Sequence, residues 1–193
     1  MTSRLGISTA RLRILPFEER HITERYVGWL NDRALMRFSE QRHKHHTLES
    51  VRRYWQSFEG TPHYFWAIEE IERGLGHIGN INAYVDRKNL IADIGILIGA
   101  LEAANQRLGL EAWVGVTNFL FEHEGLRKIT AGTLSVNTSM LRLARRAGMT
   151  EDGIKKRHYL FDGREVDVIH FALFREQWSS LVASTISHLK GAY

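Results

Sequence analysis

The segment that most constrains the fold of this chain is the apolar run Ile91–Gly99, together with the helical pattern that comes after it. The run is apolar on both faces except at Asp93, as expected for a strand in the middle of a sheet. The helical pattern covers about 105–124, and Gly125 lies where a C-capping glycine belongs. Another strand pattern covers Lys128–Val136. This order predicts a parallel strand–helix–strand crossover of right-handed connection.

The segments on either side predict further strands and helices around this unit. Thr47 and Asn137 are suited to cap helices, and Asp162-Gly163 is a strong hairpin turn signal. The order predicts a mixed sheet covered by helices, in one domain over residues 1–193 with a C-terminal helical extension at about 175–190. The remaining strand patterns lie at 12–15, 64–69, 75–85, 154–161 and 166–174. The remaining helical patterns lie at 18–30, 47–58 and 137–148.

Composition narrows the chemistry that this chain can perform. It contains no Cys, which excludes a thiol nucleophile, a disulfide framework and any Cys-based metal site. The net charge of +4 favours a polyanionic partner, which is a nucleotide cofactor, an RNA-rich particle or acidic lipid. The basic residues are scattered, so direct binding of nucleic acid is not expected. Residues 1–9 lack a signal-peptide pattern, and the longest apolar run, 94–101, is too short to span a bilayer. We therefore expect a cytoplasmic protein without membrane contact.

The cluster from His43 to His46 raises the question of a metal site. It contains Lys44, lies in a loop before Thr47 and has no carboxylate nearby at ligand spacing. These features favour a loop that faces solvent or lines an acceptor site. No metal is expected.

Three stretches resemble the GNAT acetyltransferases, in particular the RimJ/RimL-type branch. Residues 92–96 are similar to the fourth strand of that family, although Asp93 replaces its usual Glu. Residues 105–112 are similar to its pyrophosphate loop, with Arg107 in place of the first glycine and only Gly109 retained. Residues 136–149 are similar to a third segment of that family, in which an Asn is followed eleven residues later by a Gly and then by a large apolar residue. Here these residues are Asn137, Gly148 and Met149. The resemblance implies an α/β fold (α+β in some schemes) with a central splayed, mixed β-sheet flanked by helices.

The same resemblance implies that acetyl-CoA is the cosubstrate and indicates which residues bind it. Free amides at the start of the 105–124 helix form an anion site for the pyrophosphate, and Arg107 adds a positive charge. Asn137 corresponds to the residue that bonds the pantetheine arm. The alternative is that Gly109 is a packing glycine and Asn137 only an N-cap. The full predicted set is Ile96, Leu97, Ile98, Asn105, Gln106, Arg107, Leu108, Gly109, Leu110 and Asn137.

Acetyl transfer also requires a neutral amine, a stabilised oxyanion and a departing thiolate. Asp93 is the candidate general base, acting through water, because it is the only ionisable group in an apolar strand. The alternative is a structural carboxylate. The oxyanion would be held by backbone N–H groups near Ile96 or Leu97. Ala144 stands where many relatives have a Tyr acid, and the candidates to replace that acid are Ser139 and Tyr159.

The acceptor stays open between two amines. The RimJ/RimL resemblance implies a protein N-terminal α-amine. The turn at 86–89 and the closing strand at 166–169 are similar to enzymes that acetylate nucleotide-linked amino sugars. An alternative of another class is a non-catalytic GNAT-like module that binds CoA or a nucleotide and regulates a partner. The extension at 175–190 has two roles open to it, covering a sheet edge or mediating a homodimer.

Overall fold

The computed structural model of the chain describes residues 6–104 and 106–179. Within these ranges, eight strands form one sheet in the order β1-β2-β3-β4-β5-β6-β8-β7. All neighbouring strands are antiparallel except β5 and β6, which are parallel, so the predicted parallel crossover is confirmed. The strands are β1 (Ile7–Ser8), β2 (Leu12–Pro16), β3 (Tyr64–Glu70), β4 (Gly76–Asp86), β5 (Ile91–Ile98), β6 (Lys128–Leu134), β7 (Thr150–Phe161) and β8 (Arg164–Phe174).

The α-helices that cover the sheet are mostly capped by side chains at their N-termini. Those described from end to end are α1 (Glu24–Asn31), α2 (Leu48–Gln56), α3 (Leu108–Glu122) and α4 (Thr138–Arg146). Thr47 and Ser50 form a capping box at α2, and the Asn137 side chain accepts a bond from the Met140 amide at α4. The predicted continuous helix at 18–30 is wrong. The segment begins with a short 3-10 turn at Glu19–His21. A separate helix, α1, then starts after Thr23, which caps it by accepting a bond from the Tyr26 amide.

The start of α3 is later in the chain than predicted. A 3-10 turn at Leu101–Ala103 precedes it, and α3 begins at Leu108, whereas the predicted helix begins at about 105. Arg107 is the N-cap and has a left-handed backbone with φ 59°. A side chain is strained in this conformation, which explains why glycine suits the position. Asn105, a predicted cofactor contact, lies outside the described residues.

The two faces of the sheet carry different layers. One face packs against α3 in the main core, where Trp66, Trp113 and Phe121 are fully buried. The opposite face packs against α1 and α2 in a smaller aromatic cluster that includes Phe17, Phe58 and Phe65, with Leu97 of β5 packed against it. The predicted mixed sheet flanked by helices is therefore confirmed.

The centre of the sheet is divided between β5 and β6. Their parallel pairing covers only Ile91–Asp93 opposite Lys128–Thr130. Beyond those positions the two strands share no paired residues in the part of the chain described. One edge of β5, from residue 94 to residue 98, thus faces a gap instead of a neighbouring strand.

Most of the C-terminal extension falls outside the described residues. Residues 175–179 are helical, and Trp178 is buried against the main core, where its indole N–H donates to Asn118 Oδ1 at 3.3 Å. The rest of the predicted helix, with its two open roles, is not described. Within the described ranges, no helix is both long and apolar enough to cross a bilayer.

Candidate active site

The gap between β5 and β6 opens into a cavity of about 1030 Å³. Its floor comes from β4, β5 and β6, and one wall comes from α4. The segment between α1 and α2, together with α2 itself, covers it from the other side. Its size is at the upper end of the range usual for small-molecule sites, which is roughly 300–1,000 Å³. The separation of β5 and β6 beyond their three paired positions, called the splay below, thus leaves a pocket large enough for a substrate and part of a cofactor.

The predicted cofactor residues of β5 lie in this cavity. Ile96, Leu97 and Ile98 all line it, on the strand whose edge faces the gap. An extended ligand with amide groups could bond to such an edge as a further strand would. The backbone N–H groups proposed for the oxyanion, near Ile96 and Leu97, are on the same segment.

Asn137 has the capping role considered for it and also reaches the cavity. Its Oδ1 accepts from the Met140 amide at 3.2 Å, which caps α4, and its Nδ2 donates to Thr133 Oγ1 at 3.1 Å. It lines the cavity beside Ser139. The capping geometry is therefore observed, while contact with a pantetheine arm stays a prediction.

The N-terminus of α3 lies beside β5 and α4. A Cβ placed on Gly109 would lie 3.4 Å from Ile98 Cγ1 and 3.7 Å from Leu143 Cδ1, so a packing role for this glycine is also observed. The N-cap residue Arg107 supplies no side-chain bond to the helix, and the first turn of an α-helix has no intrahelical acceptors for its amides. These amides and the exposed Arg107 form a suitable anion site. Gln106, Leu108 and Leu110 flank it, and none of residues 106–110, Arg107 and Gly109 included, lines the cavity.

Asp93 lies at the closed end of the splay, at the last of the paired positions. Its Oδ2 accepts a bond from Thr130 Oγ1 at 2.8 Å. Loss of hydration inside the fold raises the pKa of Asp93, while the Thr130 bond and the nearby His170 act in the opposite direction. The residue is exposed and does not line the cavity, so any contact with an amine requires a bridging water.

The two candidates for the general acid are placed very differently. Ser139 is exposed and lines the cavity. Tyr159 does not line it, and packs instead against the cluster of Leu134, Val166 and Val168. Ala144 has no hydroxyl to offer, and its methyl group is fully buried in the core. Of the side chains considered for this role, only Ser139 is at the cavity.

The histidine cluster contributes to the cover of the cavity. Lys44, His45 and His46 line the cavity, and the loop is held by two bonds of 2.9 Å between the Asn31 side chain and the His46 backbone. Farther along this cover, Arg37 lies over the rings of Phe38 and Phe161, which stack on each other. Among the described residues there is no group of three or more His, Asp or Glu side chains placed to hold a metal ion.

Sequence reasoning missed two amide side chains on the cavity floor. Asn80 and Asn82 of β4 both line the cavity, and they lie opposite Leu97 and Gly95 of β5. Asn80 is only 8% exposed, and its Oδ1 has no hydrogen-bond partner among the described residues. The available signal was the alternation of Asn with apolar residues inside a predicted strand, which places both amides on one face.

Several solved structures share this architecture. A spermidine N-acetyltransferase from Vibrio cholerae, in complex with CoA and spermine, is similar with a TM-score of 0.78 and 16% identity, over 88% of this chain and 99% of that one. RimL, a ribosomal L7/L12 alpha-N-protein acetyltransferase in complex with coenzyme A, gives 0.76 and 15%, over 88% and 98%. A GNAT-family acetyltransferase from Bacillus anthracis gives 0.76 and 20%, over 89% and 99%. At these identities the likeness concerns the fold.

The family of the chain is identified by sequence comparison. No curated protein matches the chain at a significant level. Residues 11–150, however, match the acetyltransferase (GNAT) domain, and this range includes β2 to α4 and therefore the splay, the N-terminus of α3 and the cavity floor. The match covers well over half of the chain. The chain belongs to the GNAT acetyltransferase family.

Proposed function

We propose that this protein transfers an acetyl group from acetyl-CoA to a primary amine bound in the cavity. The observation that carries the proposal is the interrupted pairing of β5 and β6, which leaves a strand edge open to a pocket beside the N-terminus of α3, where the N-cap residue Arg107 makes no side-chain bond to the helix. A strand edge suits the two amides of a pantetheine arm, and a helix N-terminus suits a pyrophosphate. Acetyl-CoA is the ligand that combines both.

In this proposal, residues at different positions along the site bind different parts of acetyl-CoA. The amides of Leu108, Gly109 and Leu110 and the guanidinium of Arg107 bind the phosphates. The backbone of Ile96–Ile98 and the Asn137 side chain hold the pantetheine arm, so that the thioester lies over the cavity floor. When bound, acetyl-CoA supplies the activated acyl group. A backbone N–H near Ile96 then stabilises the charge that develops on the acyl oxygen.

Removal of a proton from the amine is the step that decides whether a base is needed. At pH 7 a lysine-like amine costs about 4.6 kcal/mol to deprotonate, and an α-amine about 1 kcal/mol. Asp93, acting through a water, is the proposed base. Its pKa is raised and therefore lies closer to neutral pH than the pKa of an ordinary Asp, which makes it a stronger base. Ser139 is the proposed proton donor near the thiolate, because it lines the cavity.

The charge of the cavity supports one class of acceptor over another. Lys44, His45 and His46 line it, and no Asp or Glu does so among the described residues. Such a lining favours an anionic scaffold and disfavours a polycation. Cover from the segment between α1 and α2 also favours a small molecule over a long peptide. An amine on a nucleotide-linked sugar fits best, and a protein N-terminus, as the RimJ/RimL branch would use, is the second candidate.

The proposal can be tested in two steps that fail independently. Calorimetry with CoA should give binding that is weakened by Arg107→Ala. A thiol-release assay with acetyl-CoA should then show turnover with an amino sugar linked to a nucleoside diphosphate or with a peptide that has a free N-terminus, and little with spermidine. Binding without turnover on any amine would favour the non-catalytic module. If CoA does not bind, the proposed function is wrong.

A further inference from the structure

Asn80 is an unusual side chain for the interior of this sheet. It is 8% exposed, and it lies between Ala67 of β3 and Leu97 of β5, both apolar. Its Oδ1 is buried and accepts no hydrogen bond within the described protein. A buried carbonyl without a donor destabilises the fold, whereas an apolar side chain of the same shape would not. The cavity is the place from which a donor could come, because Asn80 lines it.

The position of Asn80 relates it to the acyl group and not only to the cavity. It is paired across the strands with Leu97, which is in the β5 segment proposed to hold the thioester. Its neighbour on the same face, Asn82, lies opposite Gly95, where a Cβ would come within 3.0 Å of Asn82 Oδ1. Gly95 thus keeps the floor open between the two amides and the β5 edge. A group held by Asn80 would lie next to the reacting carbon.

We propose that Asn80 binds the acceptor amine and positions it for attack, an inference that rests on the proposed function. Its Oδ1 accepts one N–H of the neutral amine, and this bond directs the nitrogen lone pair towards the thioester carbon. The new N–C bond forms, the C–S bond breaks, and coenzyme A leaves as a thiolate that is then protonated. The other amine proton departs through water to the base. Asn80 therefore selects a nucleophile that retains a spare N–H.

A pair of variants separates ligand binding from a purely structural role. Asn80→Leu removes the unpartnered oxygen and keeps the branching and the number of heavy atoms of the side chain. We expect its unfolding midpoint to rise by about 2–4 °C, because a buried unsatisfied group is lost. We also expect kcat/KM for the amine that the wild type uses best to fall about tenfold, with the affinity for CoA unchanged.

Thr117→Val is the matched control for this experiment. Thr117 is 1% exposed on α3, its Oγ1 also lacks a partner among the described residues, and it does not line the cavity. Its replacement should raise the midpoint by a similar amount and leave kcat/KM unchanged. Asn80→Asp retains an acceptor oxygen and should restore most of the kcat/KM that Asn80→Leu loses.

Each contrary result overturns the inference. A lower midpoint for Asn80→Leu would mean that the amide has a structural partner. A loss confined to CoA affinity would assign Asn80 to the cofactor, and kcat/KM within twofold of wild type would remove its role altogether. If the wild type binds CoA but uses no amine, the proposed function fails first. If it turns over and only the Asn80 variants disagree, the inference alone is wrong.

Discussion

The two faces of the central sheet differ in what their buried side chains achieve. On the α3 face, large apolar side chains such as Trp66, Trp113 and Phe121 are fully buried in one continuous core. On the opposite face, the sheet presents the polar Asn80, Asn82 and Asp93, and part of the space above it is a cavity. The comparison teaches that one face is filled by a continuous core, while the other combines a smaller aromatic cluster with polar side chains beside a cavity. Substitutions on each face should therefore have different consequences.

The largest effect is expected from a truncation on the α3 face. Trp113→Ala should lower the free energy of unfolding by about 3–5 kcal/mol, because a fully buried ring leaves a cavity. Leu35→Ala, a half-buried position that lines the site, should cost less than about 1 kcal/mol and should mainly raise KM for the amine. Urea-induced unfolding of both variants measures the contrast. Equal losses would mean that the segment covering the cavity contributes as much to stability as the α3 layer.

Asp93→Asn should give the next largest effect, and in the opposite direction for stability. Turnover should fall by about tenfold to a hundredfold, and the acid limb of the pH–rate profile should disappear. The pKa of Asp93 is raised in the folded protein, so folding is favoured while Asp93 is protonated and this contribution is lost as pH rises through the raised pKa. The Asn variant should thus be more stable than wild type at neutral pH.

A second variant sharpens the test of Asp93 without removing it. The Thr130 hydroxyl bond lowers the pKa of Asp93, so Thr130→Val should move the acid limb to higher pH. Initial rates from about pH 5 to about pH 9 in overlapping buffers would detect the shift. A pH–rate profile that is the same in wild type and Asp93→Asn would refute the role of Asp93 as base.

The smallest effect concerns the left-handed residue before α3. Arg107→Gly should stabilise the fold by about 0.5–1 kcal/mol, because glycine adopts φ 59° without strain. It should also weaken CoA binding about threefold to tenfold, and less at high salt. Leu90→Gly, at φ 53° in the turn before β5, is the control and should stabilise without changing CoA affinity. Calorimetry that finds both variants equal to wild type towards CoA would exclude Arg107 from the phosphate site.

The architecture could be predicted well from the sequence because its signals are local. The Asp162-Gly163 turn has positive φ at both residues, and the Asn137 cap and the β5–α3–β6 crossover also agree with the expected patterns. The errors occur where a local pattern was interrupted. The helical composition of 18–30 hid the Thr23 cap, and the polar residues before Leu108 do not reveal that the chain makes a 3-10 turn first.

The candidate site was predictable only in part, because sequence cannot show which side chains share a space. Ser139 and Asn137 do line the cavity, whereas Tyr159 lies in a separate cluster. Asn80 carries no motif, and its lack of a partner among the described residues is visible only once three strands are assembled around it. The alternation of Asn with apolar residues places Asn80 on one face of a strand, but it does not show that its Oδ1 lacks a partner there.

The short pairing of β5 with β6 has a mechanical consequence. Three residue pairs join the N-terminal five strands to the C-terminal three in the described sheet, and all of them lie at one end. The two parts of the sheet are therefore joined by strand pairing at one end only, and they separate towards the other end. A ligand bound along the open edge of β5 would hold the two parts of the sheet together, so occupancy of the site should slow amide hydrogen exchange in β6 as well as in β5.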